Sequence, residues 1–179
     1  EKYGTPVFLR PTTRVCHGYA SIMVKDETEY THHQPEGFIK DSKRWVIFPR
    51  LSFMNHKKIE ARNQELSDIF SSYEKNTIHP SCDAFKDSKK GIATGGISYT
   101  YTMETLKKTG MVKTLKIATP HPFPEKLAVD FLSGLDEVLC LEELDPVIER
   151  ELIYICGKYH LPTRINGKLS GHTACAGEN

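Results

Sequence analysis

The chain has 179 residues, and its 24 Lys and Arg against 23 Asp and Glu leave a formal net charge of +1, so no overall field concentrates nucleic acid or an anionic membrane at its surface. Its length suits one main domain with at most an irregular appendage. No apolar run approaches the roughly 20 residues needed to span a bilayer, and the stretch from Glu1 to Pro11 has no signal-peptide core. Five Cys at wide, irregular spacing (Cys16, Cys82, Cys140, Cys156, Cys175) fit reduced thiols in a cytoplasmic protein better than a disulfide framework.

In chain order, the first expected element is an extended stretch at Pro6-Val7-Phe8-Leu9, which follows a start at Glu1 without Met and reads as the middle of something longer. Arg10, Thr12, Thr13, Arg14 and His17 then crowd donors and acid–base groups directly after that strand, where α/β sheets present ligand-facing loops. The same residues also suit a domain junction, with Thr hydroxyls capping turns and Arg bridging to neighbouring carboxylates, and this is the favoured reading. From Lys25 to Arg44 the chain is polar, with a solvated His32-His33 pair, and Trp45 to Pro49 is expected to be extended. Ile59, Leu66, Ile69, Phe70 and Tyr73 then predict a long amphipathic helix from Leu51 to about Lys75, ended by Asn76 and Pro80.

The second half alternates cleanly. Gly91 to Thr94 is a strand closed by Gly95-Gly96, followed by a helix with Tyr99, Met103 and Leu106 up to Gly110. Leu115 to Thr119 is the next strand, and a helix starting after Pro124 carries Leu127, Ala128, Phe131, Leu132 and Leu135. Asp136 to Leu141 is the third strand. Asp145-Pro146 supplies an N-cap and first-turn Pro for a helix burying Ile148, Leu152, Ile155 and Cys156. This order predicts an α/β fold: a largely parallel sheet with helices on both faces, in a three-layer α/β/α sandwich.

Several residues invite functional readings. Gly95, Gly96 and Ser98, at the start of a helix, form a candidate anion corner, although without a P-loop Lys or a full GxGxxG pattern turn geometry alone accounts for the glycines. Glu142 and Glu143 close a buried strand and are expected to face solvent or a partner rather than act as a base. His79/Cys82 and His172/Cys175 would suit tetrahedral zinc only if the fold joined them, and the separation of about ninety residues argues against it, so no metal site is expected. Cys140 and Cys156 read as small core residues.

Three stretches together resemble the α subunit of the indolepyruvate ferredoxin oxidoreductases, a thiamine-diphosphate-dependent 2-oxoacid:ferredoxin oxidoreductase family. They are Thr5 to His17 with its Arg-Pro-Thr-Thr-Arg run, Gly91 to Gly96, and Leu139-Cys140-Leu141-Glu142-Glu143-Leu144-Asp145-Pro146. The resemblance implies that residues 1–18 end a pyrimidine-binding thiamine domain, that 19–165 form a transketolase C-terminal-like domain, and that 166–179 lead as a linker toward a missing domain. It further implies a five-stranded sheet with one antiparallel edge strand, of which the first half of the chain supplies at most two.

The parent enzyme is expected to use thiamine diphosphate, Mg2+ and 4Fe-4S clusters, to pair with a smaller β subunit, and to work with ferredoxin and coenzyme A in decarboxylating arylpyruvates oxidatively. The fragment itself would bind none of these cofactors, since it has no Cys-x-x-Cys spacing, and would act as a scaffold in contact with other domains of its subunit. The rival reading is a free-standing small-anion-binding regulatory module. Neither nucleic acid nor membrane is an expected partner.

Overall fold

The structure, a computed structural model, describes Tyr3, residues 5–30 and residues 37–176. The His32-His33 pair lies outside the described residues. Contacts divide the chain into two compact units, Glu1–His56 and Lys57–Asn179, each of which has its own logic.

Among its described residues the N-terminal unit has no strand. Thr12 caps the short α1 (Thr13–Cys16), and its hydroxyl accepts from Val15 N at 3.5 Å. Asp41 caps α2 (Ser42–Trp45) and accepts from Lys43 N at 2.9 Å. The Trp45 indole donates to Ile39 O at 2.9 Å and lies under the Arg44 guanidinium. Of Trp45 to Pro49, expected to be extended, Trp45 ends α2 and Pro49 starts α3 (Pro49–Ser71), while Val46 between them has extended backbone. Pro at a helix start is favoured because its missing N–H would have no partner there. Val7, Phe8 and Leu9 are exposed and belong to no strand, because a ladder needs a second strand to supply its hydrogen bonds.

The Lys57–Asn179 unit holds a five-stranded sheet in the order β1-β3-β2-β4-β5. Its strands are β1 (Thr77–His79), β2 (Lys90–Gly95), β3 (Lys113–Ile117), β4 (Glu137–Leu141) and β5 (Arg164–Asn166). Only β1, at one edge, runs antiparallel to its neighbour. The crossovers are α4 (Gly96–Thr109), α5 (Glu125–Leu132) and α6 (Val147–Tyr159), so the α/β class and the single antiparallel edge strand are as expected. The sequence reading does not contain β1 or β5, which are three residues each.

Strand periodicity sorts the side chains. Ala93, Leu115, Ile117, Val138 and Cys140 point to one face and pack with Ala128, Phe131 and Leu132 of α5 and Ile148, Leu152 and Ile155 of α6. Ile92 and Leu141 point to the other face, beside α4. The crossover helices therefore lie on both sides of the sheet, in three layers. At about 1.5–3 kcal/mol per fully buried large apolar side chain, the α5/α6 face dominates the stability of this unit.

Polar ties fix the helices around this core. Ser67 of α3 donates to Phe123 O, and Asn76 joins Phe70 O and Thr119 Oγ1 while accepting from Ala118 N at 2.7 Å. Between α5 and α6, Glu125 accepts from Tyr159 Oη at 2.6 Å and from Lys158 Nζ. Burial pushes the Glu125 carboxyl up, but these two donors outweigh it and hold the group below the usual carboxylate range.

Residues past β5 remain attached to the sheet unit. Asn166, inside the stretch expected as a linker, pairs with Leu139. Leu169 N donates to the fully buried Glu149 at 3.0 Å. Gly167 makes room for that carboxylate, since a Cβ there would lie 2.7 Å from Glu149 Cδ. Lys168 is itself buried and donates to Ala174 O at 2.6 Å.

Candidate functional site

The carboxyl ends of β2, β3 and β4 open into a cavity of about 690 Å3. It sits where the connections reverse: β2 leads through α4 to β3 on one side, while β3 leads through α5 to β4 on the other. In open α/β sheets this switch point is where loops part and ligands bind.

Gly95 and Gly96 form one corner of the cavity. At Gly95 an added Cβ would stand 2.6 Å from Ile117 O, and Gly96 has φ +56°, the left-handed region that favours glycine. The local backbone path thus requires both glycines, whatever they bind. No side chain caps α4, so its first N–H groups lack a side-chain acceptor. Ser98, expected with the two glycines, turns away. It is buried and lines a smaller groove between α4 and the sheet.

Lys116 of β3 supplies the positive charge at this corner. Its ammonium lies 4.6 Å from the Tyr99 ring centroid, a cation–π contact. Tyr99 is fixed in turn by its hydroxyl, 3.0 Å from His79 Nε2, and by stacking on that imidazole. Edge strand β1, absent from the sequence reading, is thus what anchors this wall.

The opposite wall is acidic, with Glu142, Glu143 and Asp145. Glu142 corrects the sequence reading: it does not face solvent or a partner but is 7% exposed. Its two oxygens accept from Ile148 N at 2.6 Å and Glu149 N at 3.0 Å. It therefore caps α6 from five residues upstream, while Asp145, the expected cap, is exposed. Burial raises the Glu142 carboxyl above its usual range, and the backbone N–H donors offset only part of this. Glu143 is exposed.

The other candidates are dispersed. Arg10, Thr12, Thr13, Arg14 and His17 are exposed in the N-terminal unit, where Thr12 caps α1 and His17 ends it. His79 and Cys82 belong to the β1 edge, whereas His172 and Cys175 follow β5 at the opposite edge. Cys140 lies in the core, where burial pushes its thiol well up. Among the described residues no group of three or more His, Cys, Asp or Glu could hold a metal ion. Among the described residues no helix is long and apolar enough to cross a membrane.

The architecture defines an α/β/α sandwich domain with its cavity at the switch point. Its relatives carry one shared name. The chain is 35% identical over 173 residues to indolepyruvate oxidoreductase subunit IorA of Methanothermobacter thermautotrophicus, covering 96% of this chain and 27% of that subunit. The IorA subunit of Pyrococcus abyssi is 32% identical over 94% of this chain and 26% of its own length. That of Archaeoglobus fulgidus is 29% identical over 83% of this chain. The chain is thus similar to one segment of indolepyruvate oxidoreductase subunit IorA, spanning about a quarter of the length of the curated relatives it matches. No family model and no solved structure matches.

Glu142 can be tested directly. Glu142→Ala leaves two N–H groups at the α6 start without their acceptor and is expected to destabilise the chain by about 1–3 kcal/mol. Glu142→Gln keeps one acceptor oxygen and is expected to lose roughly half as much, as read by chemical denaturation followed by circular dichroism.

Proposed function

We propose that this chain works as a structural segment of an indolepyruvate:ferredoxin oxidoreductase, a scaffold of the transketolase C-terminal type that positions neighbouring domains and pairs subunits. The observation that carries this reading is the similarity along 96% of the chain to 27% of an IorA subunit. In this reading the parent enzyme oxidatively decarboxylates arylpyruvates to acyl-coenzyme A and passes the electrons to ferredoxin. Thiamine diphosphate with Mg2+ and the 4Fe-4S clusters bind in other parts of it, and a smaller β subunit completes the assembly in the cytoplasm. The exposed run from Arg10 to His17 faces a domain junction next to the thiamine cleft, where Arg10 and Arg14 pair with carboxylates of the adjoining domain and Thr12 holds the turn.

Two measurements test this. Titration of the chain with magnesium thiamine diphosphate in a calorimeter is expected to give no heat of binding, and micromolar affinity would mean that a thiamine site lies within these residues. In the full-length subunit, Arg14→Ala is expected to lower turnover or subunit pairing by about tenfold, which corresponds to the loss of one charged contact of about 1.4 kcal/mol. Unchanged activity and unchanged assembly would remove the segment from the junction.

A second reading is favoured by one observation. Lys116 lies in the same cavity as Gly95-Gly96 and the α4 start, the arrangement a free-standing small-anion-binding module needs. If it operates, inorganic phosphate shifts the Gly96 amide resonance at millimolar concentration, and Lys116→Ala abolishes the shift. No shift in the unaltered chain would eliminate this reading.

A further inference from the structure

The cavity at the strand ends is charged oppositely on its two sides, and the sheet order fixes how far apart those charges stand. Lys116 leaves β3, Glu143 and Asp145 follow β4, and β2 lies between those two strands. Neighbouring strands are about 4.8 Å apart, so the two walls rise from backbones roughly 10 Å apart. The intervening strand runs out into Gly95-Gly96, which has no side chain to fill the gap.

Neither wall is neutralised from within the fold. Among the described residues the Lys116 ammonium meets the face of the Tyr99 ring and no carboxylate, and the side chains of Glu143 and Asp145 enter no ion pair. Glu142 does not alter this balance, because its two oxygens are committed to the N–H groups of Ile148 and Glu149. Between the charged walls the lining is apolar, with Ile117, Pro120, Val147 and Ile148. A ligand of one sign is attracted by one wall and repelled by the other, whereas a ligand carrying both signs in the reverse order is attracted by both.

We infer that the cavity takes a small zwitterion, with its carboxylate at Lys116 and the Gly95-Gly96 corner, its ammonium at Glu143 and Asp145, and a short methylene chain lying along the apolar lining. The carboxylate end rests on the small-anion reading of that corner, and the ammonium end goes beyond it. Taking a hydrogen-bond contact of about 3 Å from each end of the span leaves about 4 Å between the ligand's own charges. Three methylenes bridge that distance, and the single carbon of glycine does not.

The test is an NMR titration of the chain at low ionic strength, where charges in an open cavity are screened least, following the Gly96 and Glu143 amides. The zwitterion 4-aminobutyrate is expected to shift both at millimolar concentration. Butyrate is expected to shift Gly96 alone and butylamine Glu143 alone, each binding about fivefold more weakly. Glycine is expected to bind no better than butyrate. Lys116→Ala is expected to reduce 4-aminobutyrate to the affinity of butylamine, and Glu143→Gln with Asp145→Asn to reduce it to that of butyrate, with thermal unfolding matching the unaltered chain. The comparison of ligands in the unaltered chain needs no variant at all. Butyrate binding as tightly as 4-aminobutyrate, or 4-aminobutyrate binding unaltered by the loss of both carboxylates, would overturn the inference and leave the anion corner standing. If butyrate and inorganic phosphate both leave Gly96 unshifted, the anion corner itself fails and the inference with it.

Discussion

Burial of α5 and α6 against one face of the sheet is the constraint on which the remainder depends. Phe131, Leu132, Leu152 and Ile155 are withdrawn from water almost completely and meet Ala93, Leu115 and Val138, which are fully enclosed. Small and medium side chains on the strands let the large ones of the helices settle at close range, as dense packing requires. With α5 and α6 fixed, the crossover from β3 to β4 is fixed, and with it the place where the connections reverse. The cavity at the strand ends is a consequence of that topology rather than of any one side chain.

Charge placement around the cavity follows from the same arrangement. The start of α6 is closed by Glu142, whose carboxylate is spent on backbone N–H groups, while the start of α4 has no side-chain cap. The two helix starts at one opening are therefore electrostatically unlike. The α6 start has its negative charge built in, and the α4 start has Lys116 near it, held on the Tyr99 ring.

Where period and length were generous, the sequence was legible. The strand, glycine pair and helix from Gly91 to Gly110, and the apolar stripe of Leu127, Ala128, Phe131 and Leu132, carry enough repeats to fix element type. Thr77–His79 and Arg164–Asn166 are too short to show alternation, and their pairing depends on partners 35 to 39 and 27 residues away. Trp45 to Phe48 is an apolar run that looks like a strand, but Asp41 and Pro49 are helix-start residues that bracket it, so Trp45 ends α2 and Val46 to Phe48 form the link to α3. At the site, Gly95 and Gly96 were visible as turn residues. The capping role of Glu142 was hidden because it is made across a loop, and its only sequence signal is an acid shortly before a Pro-led helix. Lys116 was hidden because nothing in a single strand says which lysine shares a corner with a distant glycine.

The clasp of Glu149 on Leu169 has a mechanical meaning. Glu149 stands in the first turn of α6, its own N–H is held by Glu142, and Glu142 follows directly on β4. The stretch after β5 is thus held to the sheet unit twice, by its own backbone through β5 and by a side-chain relay from Leu169 through Glu149 and Glu142 to the end of β4.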